Sequence, residues 1–229
     1  MDHDLEVLIA RHGFVGRDGQ RRVPDPRWAL DDPRLRPIGR RQAERLGRRL
    51  AEDPDGPPGQ IVASPLWRTA ETAQLVAEAL DLRFRVDAGL MEICHPRMLG
   101  VFQGLQPREA ELLFDRLENP DALEGRWWPH EAETGAGCCA RVALAMERML
   151  DGWRRDGLRR ILLVGHGGST DAALDWLTRP GASGRGHDLC GLSQVLLPGG
   201  RRPGELLRLN CQRHLEAEPQ LVVDSARVH

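Results

Sequence analysis

The sequence contains no lysine and no tyrosine, so all 32 of its basic residues are arginine. Without a lysine amine the chain cannot form a Schiff base with a carbonyl substrate or anchor pyridoxal phosphate, which excludes those forms of covalent catalysis. A GC-rich, bacterial genome is the simplest explanation for the arginine bias. Arginine is nevertheless well suited to binding phosphate through two parallel hydrogen bonds.

Long apolar runs and paired cysteine motifs are also missing, and we expect no signal peptide. No segment approaches the length needed to span a membrane, and the first residues, Met-Asp-His-Asp, carry no basic region. The five cysteines are odd in number and lack Cys-x-x-Cys spacing, which favours free thiols in a reducing compartment. The formal net charge of -2 gives no strong attraction to nucleic acid or to a membrane. We therefore expect a cytoplasmic protein that binds neither.

Strand and helix patterns alternate along the 229 residues. Apolar runs and period-two patterns predict strands at 5–10, 60–63, 82–86, 160–164, 192–197 and 206–209. Helical spacing of apolar residues predicts helices at 37–51, 65–80, 108–117, 137–155 and 169–177. The alternation predicts an α/β fold: one three-layer domain with a mostly parallel central sheet and helices on both faces. The pattern is least regular at about 94–137, where we expect a lid-like insertion.

Two histidines stand in matching local settings. His12 follows the apolar run that ends in Ala10-Arg11, and His166 follows Ile-Leu-Leu-Val-Gly165. Each is followed by a glycine, which allows the backbone to turn sharply against a bound group. If the two strands are neighbours, both imidazoles emerge at the carboxyl edge of one sheet, where open α/β folds bind ligands. The pattern predicts a two-histidine site.

Arg68 is a further candidate for this site. It lies in Ala63-Ser-Pro-Leu-Trp-Arg68-Thr, directly after the predicted strand at 60–63, where Pro65 is expected to start a helix. A solvent-exposed helix arginine is the ordinary explanation for such a residue. Combined with Arg11 and the two histidines, however, it supplies half of a guanidinium clamp for a phosphate group.

These motifs together resemble the histidine phosphatase superfamily, and within it the phosphoglycerate mutase-like branch. The resemblance runs from about residue 5 to residue 215, and the motifs occur in the family's order. The motifs that carry it are Arg11-His12-Gly13, Ile38-Gly39 with Gln42-Ala43, Ala63-Ser64-Pro65 with Arg68 and Thr72-Ala73, and Gly165-His166-Gly167, with a weaker echo at Leu209-Asn210 and His214-Leu215.

The resemblance implies a phosphoryl-transfer enzyme that works through a phosphohistidine and needs no metal and no cofactor. His12 would be the nucleophile, since an imidazole nitrogen attacks phosphorus and also leaves readily. Arg11, Arg68 and His166 would surround the phosphoryl oxygens, where negative charge spreads in the transition state. The sequence also shows no cluster of carboxylates suited to holding magnesium.

A leaving alkoxide needs a proton, and the resemblance implies that Glu92 supplies it. The family places its acid after a short strand in a Leu-x-Glu context, here Leu90-Met-Glu92. The spacing to the following glycine, Gly100, is longer than the family's usual spacing. Glu109 and Glu133 are therefore kept as reserve candidates for the acid.

Substrate contacts are expected from Gly13, Gly167, Thr134, Arg17 and Trp127. Gly13 and Gly167 would allow close approach of the backbone to the phosphate. Thr134 lies where many relatives have a Gly-Glu-Ser loop, and Arg17 belongs to Phe14-Val-Gly-Arg17, which departs from the family's pattern. Trp127 could stack on the substrate, although adjacent tryptophans more often pack an insertion onto the core.

The predicted function is that of a phosphomonoesterase whose partner is a small phosphorylated metabolite. One alternative is a phosphoglycerate mutase-type transfer between hydroxyl groups, which requires a closed site. The mutases of the family carry a charged insertion before the second histidine that is longer than the corresponding segment of this chain. This difference favours a phosphatase function over a mutase function. A second alternative is a non-catalytic domain that binds a phosphorylated ligand. Apolar strand edges near the C-terminus would allow a homodimer.

Overall fold

One sheet of six strands forms the centre of the computed structural model, which describes residues 3–15, 32–94, 96, 104–124, 131–182, 184 and 186–223. The strands are β1 (Leu5–Arg11), β2 (Gln60–Ala63), β3 (Phe84–Val86), β4 (Arg160–Gly165), β5 (Leu192–Leu197) and β6 (Glu205–Cys211). The helices are α1 (Pro37–Ala51), α2 (Trp67–Leu80), α3 (Pro107–Leu113), α4 (Gly135–Arg155) and α5 (Gly167–Leu177).

The strands lie in the order β3-β2-β4-β1-β5-β6. The first four strands in this order are parallel to one another. Strand β5 pairs antiparallel with β1, and β6 pairs antiparallel with β5. The two strands that precede the histidines, β1 and β4, are therefore direct neighbours. The predicted mostly parallel α/β sheet is confirmed.

Alternate residues of the central strands face opposite layers of the fold. In β1, Leu8 and Ala10 belong to the core that packs against α1 and α2, whereas Val7 and Ile9 belong to the core beneath α4 and α5. Because side chains alternate along a strand, a strand covered on both faces must be apolar at nearly every position. This explains the apolar run at 7–10 and confirms the three-layer arrangement.

Four of the five predicted helices have different bounds in the structure. Helices α4 and α5 each begin two residues earlier than predicted, at Gly135 and Gly167. Helix α2 begins at Trp67 and not at Pro65, because Leu66 has extended backbone angles (φ −66°, ψ 145°). Helix α3 ends at Leu113, since Phe114 leaves the helical region (φ −129°, ψ 85°). The backbone beyond it turns back to the sheet, where Leu117 forms an isolated bridge with Phe84. A bridge partner distant in sequence thus ends the helical run.

The expected lid and homodimer stay predictions. The segment predicted as a lid, 94–137, is described only in part. Strand β6 pairs only with β5 among the described strands, and it exposes Leu207 and Leu209. Within the described ranges, no helix has the length and apolar character that crossing a membrane requires.

Candidate active site

The register of β1 and β4 brings the two histidines together. Arg11 at the end of β1 pairs with Gly165 at the end of β4, and the His12 amide donates to the Gly165 carbonyl over 3.0 Å. The next residue of each chain segment is then a histidine at the same edge of the sheet. The ring centroids of His12 and His166 are 5.3 Å apart.

The ring of His12 is oriented by its own backbone. Its Nδ1 lies 2.7 Å from the carbonyl oxygen of Gly13, and a carbonyl can only accept a hydrogen bond. The ring proton therefore belongs on Nδ1, and Nε2 keeps its lone pair. The residue is 4% exposed, so Nε2 is held in a largely dry setting.

Close packing of two backbone segments fixes the turn that follows His12. A Cβ on Gly13 would overlap the carbonyl of Gly39 in α1, and the Gly13 amide donates to Thr72 Oγ1 of α2 over 3.1 Å. The buried side chain of Gln42 accepts from the Phe14 amide over 2.8 Å. One contact between the turn and α1 thus explains the glycines at 13 and 39 and the glutamine at 42.

Two buried guanidinium groups flank the histidines. Arg11 is 7% exposed and its Nη1 donates to the carbonyl of His187 over 2.9 Å. Arg68 is 8% exposed and its Nη1 lies 3.6 Å from the Asp32 carboxylate, which also accepts from the Trp67 amide over 2.7 Å. Burial and the neighbouring Arg68 lower the pKa of Arg11, although the Glu92 carboxylate opposes them. The site therefore concentrates positive charge out of water.

His187 anchors the segment that holds Arg11. Its Nδ1 lies 3.0 Å from Asp171 of α5, and its Nε2 lies 2.6 Å from Ser193 Oγ of β5. Ser193 Oγ also accepts from the Asn210 amide over 2.8 Å. The Ser193 side chain is completely buried, so this Asp-His-Ser arrangement is structural: it fixes the carbonyl that receives Arg11.

The ring of His166 is held through Nε2, whereas that of His12 is held through Nδ1. His166 Nε2 lies 2.8 Å from Ser64 Oγ, which comes from the end of β2, and the His166 amide donates to Ser169 Oγ over 3.0 Å. Complete burial lowers the pKa of His166 well below its usual value, and Arg68, His12 and Arg11 lower it further. The ring is therefore neutral. Its Nδ1 is buried and has no hydrogen-bond partner within the described residues, which leaves this atom available to a ligand.

Glu92 reaches the same site from the segment after β3. A Cβ on Gly168, two residues beyond His166, would lie 2.8 Å from Glu92 Oε1. The same oxygen accepts from the Ile93 amide over 3.0 Å, and the Glu92 carboxylate raises the pKa of Arg11. The structure thus brings the carboxyl group of Glu92 to the histidine and arginine cluster.

The reserve acids have other surroundings. Glu133 makes two hydrogen bonds of 2.7 Å with Arg141, and this pairing lowers the pKa of Glu133. A carboxylate held in its ionised form is a poor proton donor near neutral pH. Glu109 lies in the first turn of α3. Among the three carboxylates, the observed contacts favour Glu92.

The predicted substrate contacts divide into three groups. Gly13 and Gly167 lie directly after the two histidines, as the motifs require. The exposed Thr134 caps α4, its Oγ1 accepting from the Gly137 amide over 3.1 Å, and a contact with substrate stays a prediction. Arg17 and Trp127 lie outside the described residues.

The sequence motifs did not reveal the side chains that orient the reactive groups. Asp32, His187 and Arg141 act on partners far along the chain, and no local pattern marks them. In the described part of the chain, no group of three or more His, Cys, Asp or Glu side chains is arranged to hold a metal ion.

Comparisons with known proteins agree with this geometry. A broad-specificity phosphatase of Saccharomyces cerevisiae is 26% identical over 181 residues, which is 76% of this chain and 70% of that protein. A mycobacterial glucosyl-3-phosphoglycerate phosphatase has a similar fold with a TM-score of 0.62 at 24% identity, covering 91% of this chain and 100% of that one. A phosphoglycerate mutase from Bacillus anthracis gives a TM-score of 0.64 at 18% identity, covering 93% of this chain and 96% of that one.

The family model of the histidine phosphatase superfamily (branch 1) matches residues 7–212. The matched range includes both histidines, both arginines of the clamp and Glu92. This chain therefore belongs to the histidine phosphatase superfamily.

Proposed function

We propose that the protein is a phosphomonoesterase that hydrolyses a small phosphorylated metabolite through a phosphohistidine on His12, without a metal or a cofactor. The contact between His12 Nδ1 and the Gly13 carbonyl carries this proposal. It leaves Nε2 as the basic nitrogen, which attacks phosphorus while the bond to the leaving oxygen breaks. One difficult displacement is thereby split into two easier ones.

The clamp stabilises the charge that develops on the phosphoryl oxygens. Arg11 and Arg68 present buried guanidinium groups, and His166 Nδ1 carries the ring proton if Ser64 donates to Nε2. Three such donors, held in place before the reaction, need little reorganisation as the transition state forms. Loss of one of them is expected to cost about 2.7–4 kcal/mol of barrier, by analogy with an oxyanion hole.

Glu92 moves the protons. In the first step its carboxylic acid protonates the leaving alkoxide, and in the second its carboxylate takes a proton from the water that attacks phospho-His12. The phosphoryl group then leaves as inorganic phosphate and His12 Nε2 regains its lone pair. General acid–base catalysis of this kind contributes about 10²–10⁴-fold.

Phosphate release from p-nitrophenyl phosphate, without added metal, tests the nucleophile. We expect His12→Ala to lower kcat by about 10⁴-fold or more, because it removes the imidazole on which the proposed phosphoryl intermediate forms. His3→Gln is the matched control, since His3 precedes the same strand at its opposite end. Wild-type enzyme quenched during turnover should hold an acid-labile, alkali-stable phosphoryl group that His12→Ala lacks. Full activity of His12→Ala would overturn the mechanism.

The same preparation separates the two other functions. Isomerisation of a phosphoglycerate that depends on 2,3-bisphosphoglycerate, with little phosphate release, would indicate a mutase. Binding of inorganic phosphate without turnover of any ester in a metabolite panel would indicate a binding domain. A phosphatase should release phosphate from several esters, as expected of a relative of a broad-specificity enzyme.

A further inference from the structure

We propose that Arg141 is a positioning residue that holds Glu92 in the geometry needed for proton transfer. This inference rests on the proposed function, because it gives Arg141 a role only if Glu92 is the acid. Arg141 lies in the second turn of α4, in contact with the segment that carries Glu92. Residues 89–92 are called the acid loop below.

The guanidinium group of Arg141 binds three carbonyl groups of the acid loop. Its Nη1 donates to the carbonyl of Gly89 over 2.8 Å and to that of Met91 over 3.2 Å, and its Nη2 approaches the carbonyl of Glu92 at 3.4 Å. These carbonyls are within four consecutive residues. One planar side chain therefore determines the path of the backbone up to the residue that carries the carboxyl group.

Local hydrogen bonds hold the start of the acid loop: the Gly89 amide donates to the Asp87 carboxylate, and the Leu90 and Met91 amides donate to the carbonyls of Asp87 and Ala88. The loop follows β3 through a short 3₁₀ turn (Ala88–Leu90), and the residues from Met91 to Cys94 belong to no helix or strand. A Cβ on Gly89 would overlap Ala145 of α4, so the loop lies directly against the helix. Hydrogen bonds from α4 thus supply the restraint that a strand would obtain from its neighbours.

Glu133 fixes Arg141 from the opposite side. Its carboxylate receives Arg141 Nε and Nη2, each over 2.7 Å, and its backbone amide donates to the Cys94 carbonyl over 2.9 Å. Burial opposes the charge on Arg141, but the bond with Glu133 raises the Arg141 pKa overall. The pair therefore stays ionised. It holds the backbone before Glu92, at Gly89 and Met91, and Glu133 holds the backbone after it, at Cys94.

The leaving group distinguishes positioning of the acid from general damage. A p-nitrophenolate leaves readily without a proton, whereas the alkoxide of glycerol 2-phosphate requires one. Because kcat/KM covers the steps up to the departure of the leaving group, a misplaced Glu92 should reduce it more for the alkyl ester. The quantity to measure is the ratio of kcat/KM for p-nitrophenyl phosphate to kcat/KM for glycerol 2-phosphate.

We expect Arg141→Gln to raise this ratio about tenfold. Glu92→Gln should raise it about 10²-fold, which is the lower end of the contribution that a general acid makes to the rate. The double variant should show the ratio of Glu92→Gln alone, because two residues that act on one proton transfer are not additive. Arg141→Lys, which keeps the charge but not the planar fork, should fall between wild type and Arg141→Gln. Arg155→Gln is the matched control, since exposed Arg155 lies at the other end of the same helix and its Nε donates to the Asp151 carbonyl within α4.

Circular dichroism and thermal melting of each variant check folding, and Glu133→Gln provides a second test if Arg141→Gln does not fold. An equal loss on both substrates in Arg141→Gln or in Glu133→Gln would overturn the positioning role while leaving the phosphatase intact. A wild-type ratio in Glu92→Gln would instead remove Glu92 as the acid, and the inference with it. A raised ratio in Arg155→Gln would show that any change on α4 has this effect.

Discussion

At the scale of single residues, two histidines that each follow a strand and precede a glycine are held through different ring nitrogens. His12 is fixed through Nδ1 by the carbonyl of Gly13, whereas His166 is fixed through Nε2 by Ser64 Oγ. The first contact is between neighbours in sequence, but the second joins residues 102 positions apart. The motifs could place both imidazoles at one sheet edge, yet the ring nitrogen that each presents depends on tertiary contacts.

Ser64→Ala should lower kcat by about fivefold, because loss of one hydrogen bond costs about 1 kcal/mol and frees His166 to adopt the wrong tautomer. Steady-state assays with p-nitrophenyl phosphate measure this change. Thr178→Ala is a suitable control: it removes a buried hydroxyl that bonds to the Leu174 carbonyl at the other end of α5. Equal kcat values in the two variants would show that Ser64 does not orient His166.

At the scale of secondary-structure elements, the turn after β1 and the start of α1 are packed so closely that neither admits a side chain. A Cβ on Gly39 would overlap the backbone of Phe14, just as a Cβ on Gly13 would overlap Gly39. The sequence predicted the bounds of α1 correctly, since its apolar spacing and Pro37 are local signals. It gave no sign of this contact, because the two glycines are 26 positions apart in the chain.

Gly39→Ala should reduce the free energy of unfolding by about 1–3 kcal/mol, because the added methyl group forces the turn away from α1. Urea denaturation monitored by tryptophan fluorescence measures the loss. Gly135→Ala, in the first turn of α4, is the matched control, since a Cβ there meets no atom within 4 Å. It should leave stability unchanged or raise it by about 0.4–1 kcal/mol. Similar losses in both variants would contradict the packing argument.

At the scale of the whole molecule, burial of neutral histidines makes stability depend on pH. Burial lowers the pKa of His214 to about 4, and the nearby Arg49 adds to this effect, while a hydrogen bond with the Cys190 backbone opposes it. In the unfolded chain a histidine has a pKa of about 6.5. The unfolded state therefore binds a proton more readily, and folding is penalised as the pH falls below about 6.5.

His214→Gln should flatten this dependence. Above about pH 6.5 the His214 ring is neutral in both states, and between about pH 6.5 and 4 the wild type should lose at most about 3 kcal/mol through this group. Urea midpoints of both proteins at pH 7.5, 6, 5 and 4.5 measure the difference. Parallel pH curves would show that His214 does not contribute.

The fold class could be predicted from the sequence, but the order of the strands in the sheet could not. Alternating patterns of period 2 and 3.6 indicated an α/β sheet with helices on both faces, as the structure confirms. The order β3-β2-β4-β1-β5-β6 depends on which strands pair across crossovers, and no local pattern specifies that choice. The partners of Arg11, Arg68 and Glu92 could not be predicted for the same reason.

The pairing of Arg11 with Gly165 also bears on how such proteins diverge. Both histidines are placed by strand ends whose register is determined by the buried core, since a slip of one residue would turn every side chain to the other face. Insertions or deletions in surface connections can therefore alter which ester is accepted without moving the phosphorus chemistry. Natural drift and laboratory selection for new substrates should accordingly accumulate changes in the connections and spare β1 and β4.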